Sequence, residues 1–468
     1  MLTWYLGSLI AGERMKLAKK YVWASFVIIG LMGLGKTVLD EIKMGASAYL
    51  FGYPLVLMDE TRKETVAHIG SNRLSHSLNF PNSDFRLLAR PNVDTLYSTA
   101  WLDLSQGPLV VSMPETGDRY YVLPFMDAWT NVFARRGTNE TGNTAQEIAV
   151  VGPEFKGDIP AHIDSVVKSP TNMVWLIGRI QTNSATDVIN VAKIQEKMSL
   201  TPLDKWRIGE RYKGEARSLI DNAQSDVSKW VDDMNARTFF TKMNALMEKQ
   251  PHFAEDVSEL NKFSHLNIGP KMNFRLDSLN VIERWAVQKS VALTIEKITK
   301  AVNAKEANKQ GWNIMRNLGT YGTDYKLRAG IARFGLGALP SVEAAYPSSS
   351  VDSTGKPYHG RNNYVLHFEA NELPPVNAFW SLSMYNKDGF FVDNELDRYA
   401  IGDRSELQFN QDGSLDIYIQ HKKPILDSVN WLPAPGNKFN LLLRLYIPKK
   451  VFFDETWHIP AVRQIENQ

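Results

Sequence analysis

Residues 90–104 read RPNVDTLYSTAWLDL, and within them the apolar period of the chain changes from helical to strand-like. The Arg90-Pro91 step closes off any helix arriving from upstream, because the residue before a proline is pushed out of the helical region. From Thr95 onward, aromatic and apolar residues alternate with polar ones, the two-residue period of a half-buried strand. Similar segments follow at 108–113 (PLVVSM), 119–129 (RYYVLPFMDAW) and 172–181 (NMVWLIGRIQ), each bounded by Gly, Pro or Asn. Together they predict an antiparallel β domain running to about Gln181.

On either side of these strands the pattern is helical. SAYLFGYPLVLMDETRKET (47–65) predicts a helix within residues 46–88, with Pro54 near its start. From Thr186 to about Gln310, segments such as 228–250 and 281–302 show 3.6-residue periodicity, the mark of a packing and linking module in which Trp230 and Trp285 are core residues. GIARFGLGALP (330–340) closes this region as a flexible turn; Pro340 stands where a dinucleotide loop would need its third Gly. A second β domain follows over 364–448, with strands at 364–370, 378–386, 414–420 and 440–448. The expected fold class is mainly β with a helical insert: two antiparallel β-sandwich or jelly-roll domains bridged by a helical segment. The expected parts are a leader or anchor at 1–40, the first β domain at 41–185, the helical segment at 186–330 and the second β domain at 331–468.

Composition limits the functions available. A chain of 468 residues exceeds one ordinary core, and 44% hydrophobic with 22% charged residues is globular composition. The absence of Cys removes disulfides, thiol nucleophiles and Cys-ligated metals. The formal net charge is only +2, and much of the basic excess lies before residue 41, in Arg14, Lys16, Lys19, Lys20 and Lys36. The near-neutral remainder lacks the Lys and Arg excess that binds phosphate backbones, which sets nucleic acid aside as a partner.

Lys16, Lys19 and Lys20 precede an apolar run from Tyr21 to Leu34, the order of a signal peptide, and shorter than the roughly twenty residues that span a bilayer. Export to the periplasm is therefore expected, with any membrane contact confined to this segment, whether cleaved or kept as an inner-membrane anchor. Gly30, Gly35, Lys36 and Thr37 also satisfy a P-loop pattern. The greasy Leu31, Met32 and Leu34 and the lack of βαβ alternation weigh against it.

Candidate chemistry sits on the strands. Asn92, Asp94 and Tyr97 cluster at a strand entry, Asp127 and Trp129 share a strand face, and Arg179 interrupts an apolar strand. Asp94 and Asp127 are candidate acid and base, with Arg179 steadying negative charge, if the carboxylates are suitably spaced. The competing assignment makes Asp94 a turn cap and pairs Asp127 with Arg179 or Arg135. In the second domain, Trp380, Tyr385 and Arg444 lie on strands and Asn430 opens the Pro-rigid NWLPAPGN loop (430–437). No cofactor motif and no metal-ligand spacing occurs; the nine His residues show no i,i+4 pairing.

At RPNVDTLYS, the Asp127/Trp129/Asn131 segment, IGR (177–179), RFGLGALP, AFWSLSMYN, NWLPAP and LRLYIP, the chain resembles bacterial proteins that pair the domains of unknown function numbered 1254 (N-terminal) and 1214 (C-terminal). The resemblance covers the chain from about Ala46 onward. It implies two β-sandwich or jelly-roll domains bridged by helices, in secreted or envelope proteins, and transfers no catalytic set. The functional expectation is an exported envelope protein whose polar, aromatic-lined cleft binds or hydrolyses a small polar or glycan-like ligand. The alternative is a non-catalytic assembly protein forming a homo-oligomer through its β domains.

Overall fold

A computed structural model describes residues 37–86, 89–217, 226–303, 308–425 and 429–466. The leader and P-loop expectations fall on residues 1–36 and lie outside the described residues; Thr37, the first described, already belongs to a helix. Among the described residues no helix is long and apolar enough to cross a membrane.

The N-terminal β domain is a sandwich. Its larger sheet runs, in spatial order, Glu215–Arg217, Ser75–Ser77, Thr95–Asp103, Met173–Gln181, Tyr121–Asp127 and Val132–Gly137; its smaller sheet runs Ser165–Lys168, Gln146–Val151, Leu109–Met113 and Ser199–Pro202. Pairing is antiparallel except for two edge strands, Glu215–Arg217 and Ser165–Lys168. Alternation separates the two faces of the larger sheet. Leu96, Ala100, Leu102, Leu123, Phe125, Val174 and Leu176 point into the sandwich core with Val111, Ile148 and Val150 of the facing sheet.

The outer face of the larger sheet is buried as well. At one end, Trp101 and Trp175 stack across neighbouring strands with ring centroids 5.1 Å apart, beneath a helical layer. That layer contains helix 37–69 and the helices Ala236–Lys249, Val281–Asn303 and Tyr325–Gly335. Helix 37–69 starts well before Pro54, which lies mid-helix and not near the start as the sequence suggested. Its residues 48–58 are buried nearly all round, so tertiary packing rather than an amphipathic stripe holds it and tolerates the proline. Gly52 is required there, since a Cβ would lie 2.2 Å from the Met243 sulfur. Trp230 and Trp285, expected as core, are instead 46% and 47% exposed. Each stands on the solvent side of its helix, and periodicity alone did not place it.

The C-terminal domain is a second sandwich. One sheet orders Trp312–Asn313, Ser348–Ser349, Phe439–Tyr446, Trp380–Asn386 and Ala400–Gly402; the other orders Trp431–Pro433, Leu415–Gln420, Asn363–Phe368 and Arg463–Ile465. Leu382, Met384, Leu441, Leu443 and Leu445 face Leu366, Ile417 and Ile419 in its core. The opposite face of the first sheet carries Ser381, Ser383, Tyr385, Arg444 and Tyr446 and turns toward the N-terminal domain. There Tyr446 and Phe379 pack on Tyr120 and Val122, covering the remaining end of the larger N-terminal sheet. The mainly β fold with two sandwiches and a helical segment thus agrees with the expected class.

Gly178, at the centre of the larger sheet, has room for no side chain: a Cβ would stand 2.7 Å from Leu123 Cδ2 and 3.0 Å from the Ser98 carbonyl. Gly178→Ala is expected to lower stability by roughly 1–3 kcal/mol through overpacking, read from the midpoint of urea denaturation.

Candidate functional site

The polar residues singled out in the sequence divide into three places. The first is the seam between the β domains, built on the turn before strand Thr95–Asp103. Asn92 Oδ1 accepts the backbone N–H groups of Asp94 (2.9 Å) and Thr95 (3.0 Å), an Asx turn that sets the strand entry. The turn sends the Asp94 carboxylate into the other domain. Its Oδ2 accepts from Ser381 Oγ at 2.7 Å and its Oδ1 from Arg404 Nη2 at 2.5 Å. Arg404 Nη1 also donates to the carbonyls of Asp94 and Thr182, and its guanidinium lies 4.0 Å from the Phe379 ring centre. The Asp94 carboxylate is buried at 2% exposure and the Arg404 side chain is 16% exposed, so this ion pair, spanning residues 310 apart in sequence, is largely shielded from water.

Beside it, Arg444 Nη1 donates to Ser383 Oγ (2.6 Å), and Nη2 to the carbonyls of Arg90 and Pro91 and to Tyr385 Oη (2.7 Å). The Tyr385 hydroxyl in turn donates a hydrogen bond to the Pro91 carbonyl at 2.5 Å. The RPNVD segment is therefore held by its backbone to one C-terminal sheet, which explains why its carbonyls need no strand partner of their own. Arg90 adopts a left-handed backbone (φ 57°) to make this turn.

Arg179 stands next in the seam, directly opposite Tyr97 on one neighbouring strand and Val122 on the other. It is 7% exposed and has no carboxylate partner among the described residues. Its Nη2 donates to the Gly337 carbonyl (2.6 Å), its Nη1 to Tyr346 Oη (3.1 Å), its guanidinium lies 5.5 Å from the Tyr97 ring centre, and its Nε meets no acceptor. Gly337, in RFGLGALP, has φ 87°, a conformation that aims its carbonyl at Arg179. The Tyr97 hydroxyl accepts from Asn92 Nδ2 at 2.5 Å. Both phenols, half-buried, thus accept from nitrogens that cannot accept in return, and each keeps its own O–H to donate.

The second place is the far end of the same sheet. Asp127 pairs opposite Val174, whereas the Asp94 carbonyl meets Thr182 N–H. Eight residues of strand at ~3.3 Å each put the two carboxylates about 26 Å apart, too far for the roughly 5–10 Å of an acid/base pair. Asp127 is fully buried and closes a turn in which Thr130 has φ 71°, its Oδ1 accepting from Trp129 N–H (2.8 Å) and Asn131 N–H (2.9 Å). Its charged neighbour is Arg328, not Arg179 or Arg135. Burial pushes its pKa up to about 6, opposed by the Asn131 and Trp129 hydrogen bonds and by Arg328. Trp129 sits in the helical core, its indole N–H on the Pro251 carbonyl. Arg328 is enclosed by Phe51, Trp129 and Tyr325 with ring centres at 5.4, 5.3 and 5.0 Å.

The third place is the interior of the C-terminal sandwich. Trp380 packs there on Phe368, and Asn430 ties its loop to the Gln408 backbone and the Asp416 carbonyl. The structure thus gathers Asn92, Asp94, Tyr97, Arg179, Tyr385 and Arg444, and leaves Asp127, Trp129, Trp380 and Asn430 elsewhere. Arg404, Tyr346 and Gly337 complete the seam. Sequence reasoning missed the first two because both lie outside the long strands whose faces alternation can sort.

Two sandwiches sealed by a buried Arg–Tyr–Asp seam define a two-domain β protein. The chain matches the family described as protein of unknown function (DUF1254) over residues 71–202 and that described as protein of unknown function (DUF1214) over 343–450, and it belongs to the proteins that pair these two domains. Of the seam residues, Asn92, Asp94, Tyr97 and Arg179 fall in the first matched segment and Tyr346, Tyr385, Arg404 and Arg444 in the second, while Gly337 lies between the two. Among solved structures it is similar to the VPA0106 protein of Vibrio parahaemolyticus, 23% identical with a TM-score of 0.67, covering 91% of this chain and 100% of that one. It is also similar to an uncharacterised protein of Burkholderia cenocepacia, 13% identical with a TM-score of 0.46, covering 92% and 96%. No curated protein matches the chain.

The raised Asp127 pKa has a definite sign. The folded protein holds a proton that the unfolded chain releases near pH 3.8, so this group's contribution falls as pH rises from about 4 to about 6 and the penalty persists above. Asp127→Asn removes that titration. The stability of the variant relative to wild type is expected to rise by on the order of 2–3 kcal/mol between pH 4 and pH 7, measured by urea denaturation across that range.

Proposed function

We propose that the protein binds a small polar ligand carrying an anionic group, such as an acidic sugar or another carboxylate or oxyanion, at Arg179, Tyr97 and Tyr346 in the seam between its β domains. One observation carries this reading. Arg179 is a buried cation with no carboxylate, and around it three donors, its own Nε–H and the two phenol O–H groups, meet no acceptor among the described residues. A buried charge is stable only when paired and hydrogen-bonded, and an oxyanion would supply both. Binding is favoured over hydrolysis. The candidate acid and base stand about 26 Å apart along the sheet, and Asp94 is engaged by Arg404 and Ser381. The basic and apolar N-terminal stretch supports export, so the ligand belongs to the periplasm or cell envelope.

The competing reading is a homo-oligomer formed through the β domains; the exposed Trp230 and Trp285 favour the helical layer as the contact surface of such an assembly. Isothermal titration of the full chain with glucuronate, succinate, phosphate and, as a neutral control, glucose separates the two. Saturable binding of an acidic ligand, weakened roughly tenfold or more by Tyr97→Phe or Tyr346→Phe, is expected from the loss of one charge-assisted hydrogen bond. Heat-silent titrations with a dimer that dissociates on Trp285→Ala would transfer the function to assembly.

A further inference from the structure

The C-terminal domain carries a groove of about 320 Å³ that shares no residue with the seam, a volume within the range of small-ligand sites. Its floor is Trp312 and Phe452, both buried. One wall is the loop before Trp312, closed by Asn308, whose Oδ1 accepts from Gln310 and Trp312 N–H groups. The other wall is the C-terminal segment, where Trp457 stands half-buried with its indole N–H fixed on the Glu372 carbonyl at 2.9 Å. Arg316 crosses between the walls. Its Nη2 meets Glu455 at 3.0 Å, its Nη1 the Phe453 carbonyl at 3.2 Å, and its guanidinium lies 5.8 Å from the Phe452 ring centre.

We infer that this groove is a second binding site, for an uncharged polyhydroxylated ligand of the sugar class. The lining is chemically mixed in the way such a ligand needs. The half-buried Trp457 ring offers a face to its C–H groups above the buried Trp312 and Phe452, and planar amide, guanidinium and carboxylate groups offer paired donors and acceptors to neighbouring hydroxyls. The Arg316–Glu455 pair balances its own charge, so the site has no demand for an anion, unlike Arg179. The side chains of Asn313, half-buried, and His458, exposed, line the groove and make no hydrogen bond to another described residue, so their polar atoms are open to it. The inference is independent of the anion site, because the two share no side chain.

The test uses the full chain labelled with 5-fluorotryptophan, the Trp457 resonance being identified by its loss in Trp457→Phe. Glucose, N-acetylglucosamine and cellobiose are titrated in turn, with glucuronate as the charged comparison. A saturable shift of the Trp457 signal by a neutral sugar is expected, weakened about tenfold in Asn313→Ala. That substitution removes a side chain without a partner and should leave the melting temperature unchanged, so a folded variant reports on binding alone. No saturable shift at Trp457 with any neutral sugar, a response to glucuronate only, or full affinity retained in Asn313→Ala would each overturn the assignment.

Discussion

The Asp94 carboxylate is taken out of water by two domains at once, and neither can satisfy it alone. Removing a carboxylate from water costs several kcal/mol unless partners replace its hydration. The N-terminal domain supplies the carboxylate and the Asn92 turn that aims it; the C-terminal domain supplies Ser381 and Arg404. Arg444 repeats the arrangement in reverse, a C-terminal guanidinium satisfied by the carbonyls of Arg90 and Pro91. Separating the domains would strand both charges. The seam therefore makes two sandwiches, each with its own core, into one folding unit.

A second link runs through the helical layer. Helix Tyr325–Gly335 carries Arg328 over Asp127 and Trp129 near one end of the larger sheet, and just past its C-terminus places the Gly337 carbonyl on Arg179 at the other. Ten residues of helix and turn, Arg328 to Gly337, thus bridge two guanidinium sites that sequence spacing alone would never associate. The proposed anion site draws its walls from both sandwiches and from the segment that follows this helix.

Much of the fold was legible because alternation is a local signal. The strand at 95–103, the sorting of Leu441, Leu443 and Leu445 from Arg444, and the shared face of Ser381, Ser383 and Tyr385 all follow from the two-residue period. The site was legible only in part. Alternation gives the face of a residue but not its distance along the sheet, so Asp94 and Asp127 looked like partners until the strand register separated them. Arg404 lies in a turn after a three-residue strand, and Arg328 on a helix whose partners are far away in sequence; neither position carries a local pattern. Helical periodicity likewise ranked Trp230 and Trp285 as apolar without telling which face meets solvent.

The buried seam joins the two β domains into one thermodynamic unit. Differential scanning calorimetry of the wild-type chain and of Arg404→Met, which leaves Asp94 without its cation, tests it directly. The β domains of the wild type are expected to melt together, and Arg404→Met to lower that transition and split it, as when a buried ion pair loses one partner, at a cost of about 3–5 kcal/mol. Two separate β-domain transitions in the wild type, both unmoved by Arg404→Met, would contradict it.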